Sequence, residues 1–187
     1  MTIYGRIIFA CWLIFLLYWC LSAIGTKRTV GPRPWRQSAG LGVVIVVLVV
    51  LALRIPTLRY ALRDAQHFAT GAGPVSAVLC AAGVGFAIWA RAHLGRNWGM
   101  PMSRKEDPEL VTTGPYAFVR HPIYSGLLLA MLGSTLGKSV VWLVPFLVCI
   151  PYFILSARGE ERIMREQFPA QYAAYMRRTW MLVPYVL

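Results

Sequence analysis

Five stretches without Asp, Glu, Lys or Arg constrain this chain more than any other feature: residues 7–24, 37–53, 68–90, 122–137 and 139–157. A helix that crosses a bilayer needs about 20 apolar residues, within a working range of about 17–25. Lipid offers the backbone no hydrogen-bond partners, so only helices and closed barrels span it. These runs are too long and too continuously apolar for barrel strands, which alternate in character. The expectation is an all-α integral membrane protein with five transmembrane helices. Composition agrees: hydrophobic residues make up 58% of the 187 and charged residues 14%, against about 25% charged in soluble domains. A chain this short cannot hide so much apolar side chain in one water-facing core. A disordered chain, a collagen-like rod and an ordinary cytosolic domain are excluded.

The whole chain reads as one membrane-embedded domain. Residues 1–66 hold two spans without a motif; residues 67–187 hold three spans and the polar segments. The third span carries Gly71, Gly73, Gly83 and Gly85, a sign of close helix packing. Only Lys138 separates the fourth span from the fifth, so the two form a tight hairpin. Pro145 and Pro151 each remove a backbone donor from the fifth span and are expected to bend it. No internal repeat is visible, which argues against an inverted-repeat transporter.

The basic residues lie between the apolar runs, the pattern of membrane orientation rather than of nucleic-acid binding. Of 19 Lys and Arg, 14 fall on one side of the five-span scheme. The positive-inside rule makes that side cytoplasmic, with the amino terminus outside and the carboxyl terminus in the cytoplasm. In a bacterium the protein would sit in the inner membrane. The first run has no small-residue cleavage site and reads as a span, not a signal peptide. Cys11, Cys20, Cys80 and Cys149 each lie in an apolar run without a CxxC spacing, so they read as small hydrophobes and no metal is expected. His67 and His93 read as lone side chains.

Both long polar segments, residues 91–120 and 158–187, come out cytoplasmic. The first ends in Gly114-Pro115-Tyr116 and Arg120-His121-Pro122-Ile123-Tyr124. Gly-Pro is a turn signal, and Pro122 suits the first turn of a helix. Arg120 and His121 would then stand at a membrane mouth beside free backbone amides, a setting that favours an anion. The plainer reading is a snorkelling Arg before a helix-start proline. Glu160-Glu161 follows the fifth span, against the helix dipole. Arg158, Arg162, Arg165 or a cationic ligand would compensate. Met164, Phe168, Tyr172 and Tyr175 recur at helical steps, with Pro169 opening a second short helix. This C-terminal amphipathic segment would lie on the membrane or fold against the bundle. Trp89, Trp98, Trp180, Tyr116 and Tyr124 read mostly as interfacial belt aromatics.

The stretch 110–126 with its R-H-P-x-Y core, a two-span hairpin, Glu160-Glu161 and then Phe168, Tyr172, Tyr175 and Arg178 resembles the isoprenylcysteine carboxyl methyltransferase family, which takes in phospholipid-methyltransferase-like bacterial members. The likeness covers about residues 94–178. It implies S-adenosylmethionine-dependent methyl transfer to a lipophilic or lipidated acceptor that enters from the lipid bilayer. It also implies a cytoplasm-facing cofactor pocket closed by the carboxyl-terminal helices. By position, the cofactor contacts would be Pro108, Glu109, Leu110, Val111, Tyr116, His121, Pro122, Ile123, Tyr124 and Glu160. Arg120, Arg158 and Arg178 would be the candidates to bind an acceptor carboxylate, and Glu161 the nearest base for an amine. Two positions depart from the family pattern. Ser156 stands where eukaryotic members carry an Arg one turn before the Glu pair, and Pro101 falls where a polar cofactor contact is usual. Two other classes stay open: a membrane sterol-type NADPH reductase, and a non-enzymatic lipid-binding membrane subunit.

Overall fold

The computed structural model describes residues 2–22, 29–30, 72–98, 104–105, 109–137 and 143–187. The second expected span, Pro108 and Lys138 lie outside the described residues. Helix α1 (Ile3–Ser22) opens on Thr2, whose Oγ1 accepts the Gly5 amide at 3.1 Å, an N-cap that satisfies one free donor of the first turn. Leu13, Leu16, Leu17 and Leu21 are exposed along it, as lipid solvent permits.

Helix α2 (Gly73–Leu94) starts with Pro74 in its first turn and ends at Gly95, at φ +55°, where a 3-10 turn (Gly95–Asn97) begins. Helix α3 spans Pro122–Gly137 and lies against α2 along a seam of small residues. A Cβ on Gly83 would come within 2.5 Å of the Gly126 carbonyl oxygen, and one on Gly133 within 2.6 Å of the Cys80 amide nitrogen. Larger side chains there would push the helices apart, the reason membrane interfaces favour Gly and Ala. Trp12 of α1 donates its indole N–H to Ser134 Oγ at 2.9 Å, tying α1 to the same seam.

Helix α4 (Leu143–Gln167) corrects three expectations. It does not end near Ala157 but runs on through Glu160-Glu161 to Gln167, so the carboxylates lie inside a helix rather than at its end. Pro145 sits in the first turn, where no donor is missed. Only Pro151 is interior. Helix α5 (Pro169–Met176) begins at Pro169, as expected, after Phe168 leaves helical geometry at φ −132°, ψ 60°.

Two-residue strands β1 (Thr29–Val30) and β2 (Arg104–Lys105) pair antiparallel; the described architecture is otherwise helical. Among the described residues, α1, α2 with its following turn, and α4 are long and apolar enough to cross a membrane, whereas α3, at 16 residues, is shorter. The chain past α5 returns to the start of α3. Val119 and Trp180 form a parallel bridge, the amides of Arg120 and His121 donate to the carbonyls of Trp180 and Met181 at 2.8 and 3.1 Å, and Ser125 Oγ donates to the Leu182 carbonyl at 2.6 Å. The two polar segments therefore meet. The Arg120 and His121 amides are both taken by this strap.

Candidate functional site

The loop ahead of α3 is set by Gly114. Its φ of +60° is left-handed, and a Cβ there would press into the His93 ring at 2.8 Å. Glycine is needed on both counts. His93 is not lone: its Nε2 lies 2.9 Å from Thr113 Oγ1 and its ring stacks on Tyr116 at 6.5 Å. Tyr116 is buried and donates to the Ala90 carbonyl at 3.4 Å, while Tyr175 of α5 donates to the Tyr116 carbonyl at 2.6 Å. Burial first, and the nearby Glu160 charge second, push the Tyr116 hydroxyl well above its ordinary pKa. Burial likewise moves Tyr175 up to about 12, against the opposing pull of Arg120 and Arg178. Both therefore serve as neutral hydrogen-bond donors.

An acid–base cluster joins α3 to α4. Tyr124 donates to Glu160 Oε1 at 2.5 Å. His121 Nδ1 lies 3.3 Å from Glu160 Oε2, and its Nε2 3.6 Å from Glu161 Oε1. Arg120 donates through Nε to Glu161 Oε1 at 2.6 Å and through Nη1 to the Thr179 carbonyl. Arg165 Nη2 reaches Glu161 Oε2 at 3.4 Å. The carboxylates are thus compensated by Arg120, His121 and Arg165, and not by Arg158 or Arg162. Burial alone would lower the His121 pKa. Hydrogen bonds to Glu160 and Glu161, and their charges, outweigh it and hold the imidazole above its ordinary value. The rings of His121, Tyr124 and Phe153 stack in series at 5.7 and 4.7 Å with nearly parallel planes.

These groups face a cavity of about 450 Å³, within the size range of sites for small organic ligands. Glu109, Leu110, Val111, Tyr116, His121, Pro122, Ile123, Tyr124 and Glu160 all line it, and so does Arg120. Glu161 stands behind Arg120. Arg158 lines a separate cavity, and Arg178 lies over the Tyr175 ring at 5.9 Å and lines neither. Ser156 is buried and Arg158 exposed, so the latter does not replace the Arg that eukaryotic members carry one turn before the Glu pair. Tyr116, Tyr124 and Trp98 are cavity walls rather than belt aromatics; Trp89 is 49% exposed.

Several contributors were not singled out from the sequence. Phe15 and Trp19 bring α1 to the cavity wall. Arg91 is buried, donates to the carbonyls of Gly95 and Ser22, and lies 4.6 Å from the Trp98 ring. It thereby ties the end of α1 to the turn that carries Asn97. Three buried polar atoms without a hydrogen-bond partner belong to residues lining this cavity: Asn97 Oδ1, His121 Nε2 and Gln167 Oε1. Buried polar atoms are rarely left so. Two amide acceptors and an imidazole nitrogen are what the ammonium, amino and carboxylate groups of S-adenosylmethionine would engage, so the residues present fit that cofactor.

A family model described as phospholipid methyltransferase matches residues 73–171. The cobalt-zinc-cadmium resistance protein CzcN of Cupriavidus metallidurans is 35% identical over 99 residues, 50% of this chain and 44% of that protein. Protein-S-isoprenylcysteine O-methyltransferase B of Arabidopsis thaliana is 35% identical over 85 residues, 44% of this chain and 43% of that protein. The chain thus spans less than half the length of these curated relatives. The solved structure of the eukaryotic intramembrane Ras methyltransferase ICMT (isoprenylcysteine carboxyl methyltransferase) superposes with a TM-score of 0.50 at 22% identity, over 84% of this chain and 55% of that one. With the family model covering more than half its residues and its fold matching an intramembrane methyltransferase, this chain belongs to the phospholipid methyltransferase family.

Proposed function

We propose that this chain is an S-adenosylmethionine-dependent methyltransferase of the isoprenylcysteine carboxyl methyltransferase type. It acts on a lipophilic acceptor dissolved in the bilayer, from a site that faces the cytoplasm. The carrying observation is the single cavity in which residues 109–124, α4 and α5 converge, with His121 held between Glu160 and Glu161 and unpartnered polar atoms on three lining residues. The cofactor supplies a methyl group on a sulfonium for in-line transfer to a nucleophile.

The chain's own residues bind, orient and exclude water. Glu160, fixed by Tyr124, is the partner for the cofactor's ammonium, a charge-assisted contact. The His121 ring, with Nδ1 toward Glu160 and Nε2 toward Glu161, and Arg120, engaged by Glu161 and the Thr179 carbonyl, together give the cofactor's carboxylate a positive background. Leu110, Val111 and Tyr116 flank the adenine. The aromatic faces of Trp19, Tyr124 and Phe153 favour a cationic centre and keep water away. Arg158 and Arg178 touch no reacting atom in this assignment. An isoprenylcysteine-like carboxylate is one acceptor that fits a membrane-side entrance.

Calorimetry with S-adenosylhomocysteine on the purified chain in detergent tests the reading. Saturable binding that weakens in Glu160→Gln and in His121→Ala is the expected result. Heat changes indistinguishable from dilution at millimolar ligand would overturn it.

A further inference from the structure

A second cavity, of about 480 Å³, shares Arg120 with the first. Four arginines line it (Arg120, Arg158, Arg162 and Arg165), against one side-chain carboxylate, Glu161, with the side chains of Met181 and Leu187 as an apolar wall; the Leu187 main-chain oxygen is engaged by the Leu182 and Val183 amides. The carboxylate is already spent. Glu161 is 6% exposed and paired with Arg120, which is 10% exposed, so this pair forms a buried floor. Arg165 reaches Glu161 only at 3.4 Å and keeps most of its side chain in solvent. Arg158 and Arg162 are exposed, and no ion pair or hydrogen bond engages their guanidiniums among the described residues. Positions 158, 162 and 165 are one turn apart along α4, so these cations share a face.

Arg158 and Arg162, without a counter-charge among the described residues, repel each other and the neighbouring Arg165, and planar forked donors match phosphate oxygens. The place along the helix matters as well. Residues 143–157 of α4 carry no charge, and Arg158 is the first basic residue after them. The cluster therefore sits where an apolar helix leaves the hydrocarbon, at the level of lipid head groups. An apolar wall beside the charges suits a ligand with a phosphate at one end and hydrocarbon at the other.

We infer that this arginine cavity is a phosphate-binding site, distinct from the cofactor cavity, whose ligand is the phosphodiester head group of an anionic membrane lipid. Arg120 is the one residue that lines both cavities. An anion on the rim would draw Arg165 from Glu161 and leave Arg120 and His121 as that carboxylate's partners. The lipid surface around the protein thus gains a route to the cofactor wall. The inference stands independently of which cofactor occupies the first cavity.

Native mass spectrometry on the whole chain, titrated with phosphatidylglycerol or phosphatidylethanolamine, tests it. The comparison is wild type against Arg158→Gln/Arg162→Gln, with size-exclusion elution and thermal midpoint recorded to establish that the variant is folded. Wild type should retain phosphatidylglycerol over phosphatidylethanolamine. Loss of two surface guanidiniums, at about 1 kcal/mol each, should weaken phosphatidylglycerol binding roughly 30-fold. A parallel titration with inorganic phosphate separates the sources. Displacement of the lipid only by phosphatidylglycerol supports the head group. Displacement by millimolar phosphate keeps the phosphate site but overturns the lipid assignment. Equal retention of both lipids by wild type and a folded double variant overturns the site. Should the double variant misfold, Arg162→Gln alone, at the exposed rim, carries the same comparison with an expected loss of about fivefold.

Discussion

Helix α3 has two faces that do opposite things. Toward α2 it presents Gly126, Ala130 and Gly133, and the backbones close until a single methyl would not fit. Elsewhere around its axis it presents Ile123, Tyr124 and Leu127 to the cavity. The sealed seam holds small side chains, with Ser76, Cys80 and Ser134 among its polar groups; the open face gathers the carboxylates, the imidazole and the rings. The difference shows how a short chain builds a site in lipid. One face fixes the helix as a rigid wall, so that groups on the other need move little to meet a ligand.

Damage to the open face should outweigh damage to the seam where it strands a charge. Arg120→Met leaves Glu161 buried without its nearest cation and should cost about 3–5 kcal/mol. Denaturant unfolding in detergent reads this, and a loss below 1 kcal/mol would mean the pair is solvated. Gly83→Leu overpacks the seam and should cost about 1–3 kcal/mol. Its signature is lowered stability of the whole bundle, so an unchanged midpoint would show that the helices do not close as described. Glu160→Gln separates site from scaffold. S-adenosylhomocysteine affinity should fall by roughly 10-fold to 100-fold, the scale of a lost hydrogen bond to a charged group, while the thermal midpoint moves little.

His121, between two carboxylates, gives a pH test of the same face. Its folded value lies above the ordinary imidazole value. Its stabilisation is therefore fully present below the unfolded value of about 6.5 and is lost as pH rises through the raised folded value. Thermal midpoints of the wild type should decline across that rise, and those of His121→Gln should stay flatter; parallel profiles would remove the cation from between the two carboxylates. The smallest effect belongs to the seam. Ser134→Ala removes the acceptor of the Trp12 indole and should cost about 0.6 kcal/mol, the average for interhelical hydrogen bonds in a membrane.

Much of the site was legible because it is written in local patterns. The Gly-Pro turn, the helix-start Pro122 and the break at Pro169 act over a few residues, and each appears where the sequence puts it. The end of α4 was misread because loss of apolar character at Arg158 marks the edge of a span, not the end of a helix. Backbone hydrogen bonds continue as long as residues such as Glu, Arg and Met favour them. His93, Arg91 and Asn97 were missed for another reason. Their partners, Thr113, Ser22 and Glu109, lie 12 to 69 positions away in the chain, and no short pattern records that.

The sequence by itself determined that this chain lives in lipid as helices, because uncharged runs of bilayer length leave the backbone no other way to satisfy its hydrogen bonds. It also fixed which residue types stand at the mouth of α3 and along α4. Only the tertiary structure decided which carboxylate faces which cation: Glu160 turns to Tyr124 and His121, Glu161 to Arg120, and Arg158 away into a second cavity. Neighbouring residues on a helix point about 100° apart. A one-residue difference in sequence therefore becomes a choice between two cavities only once other helices are packed around it.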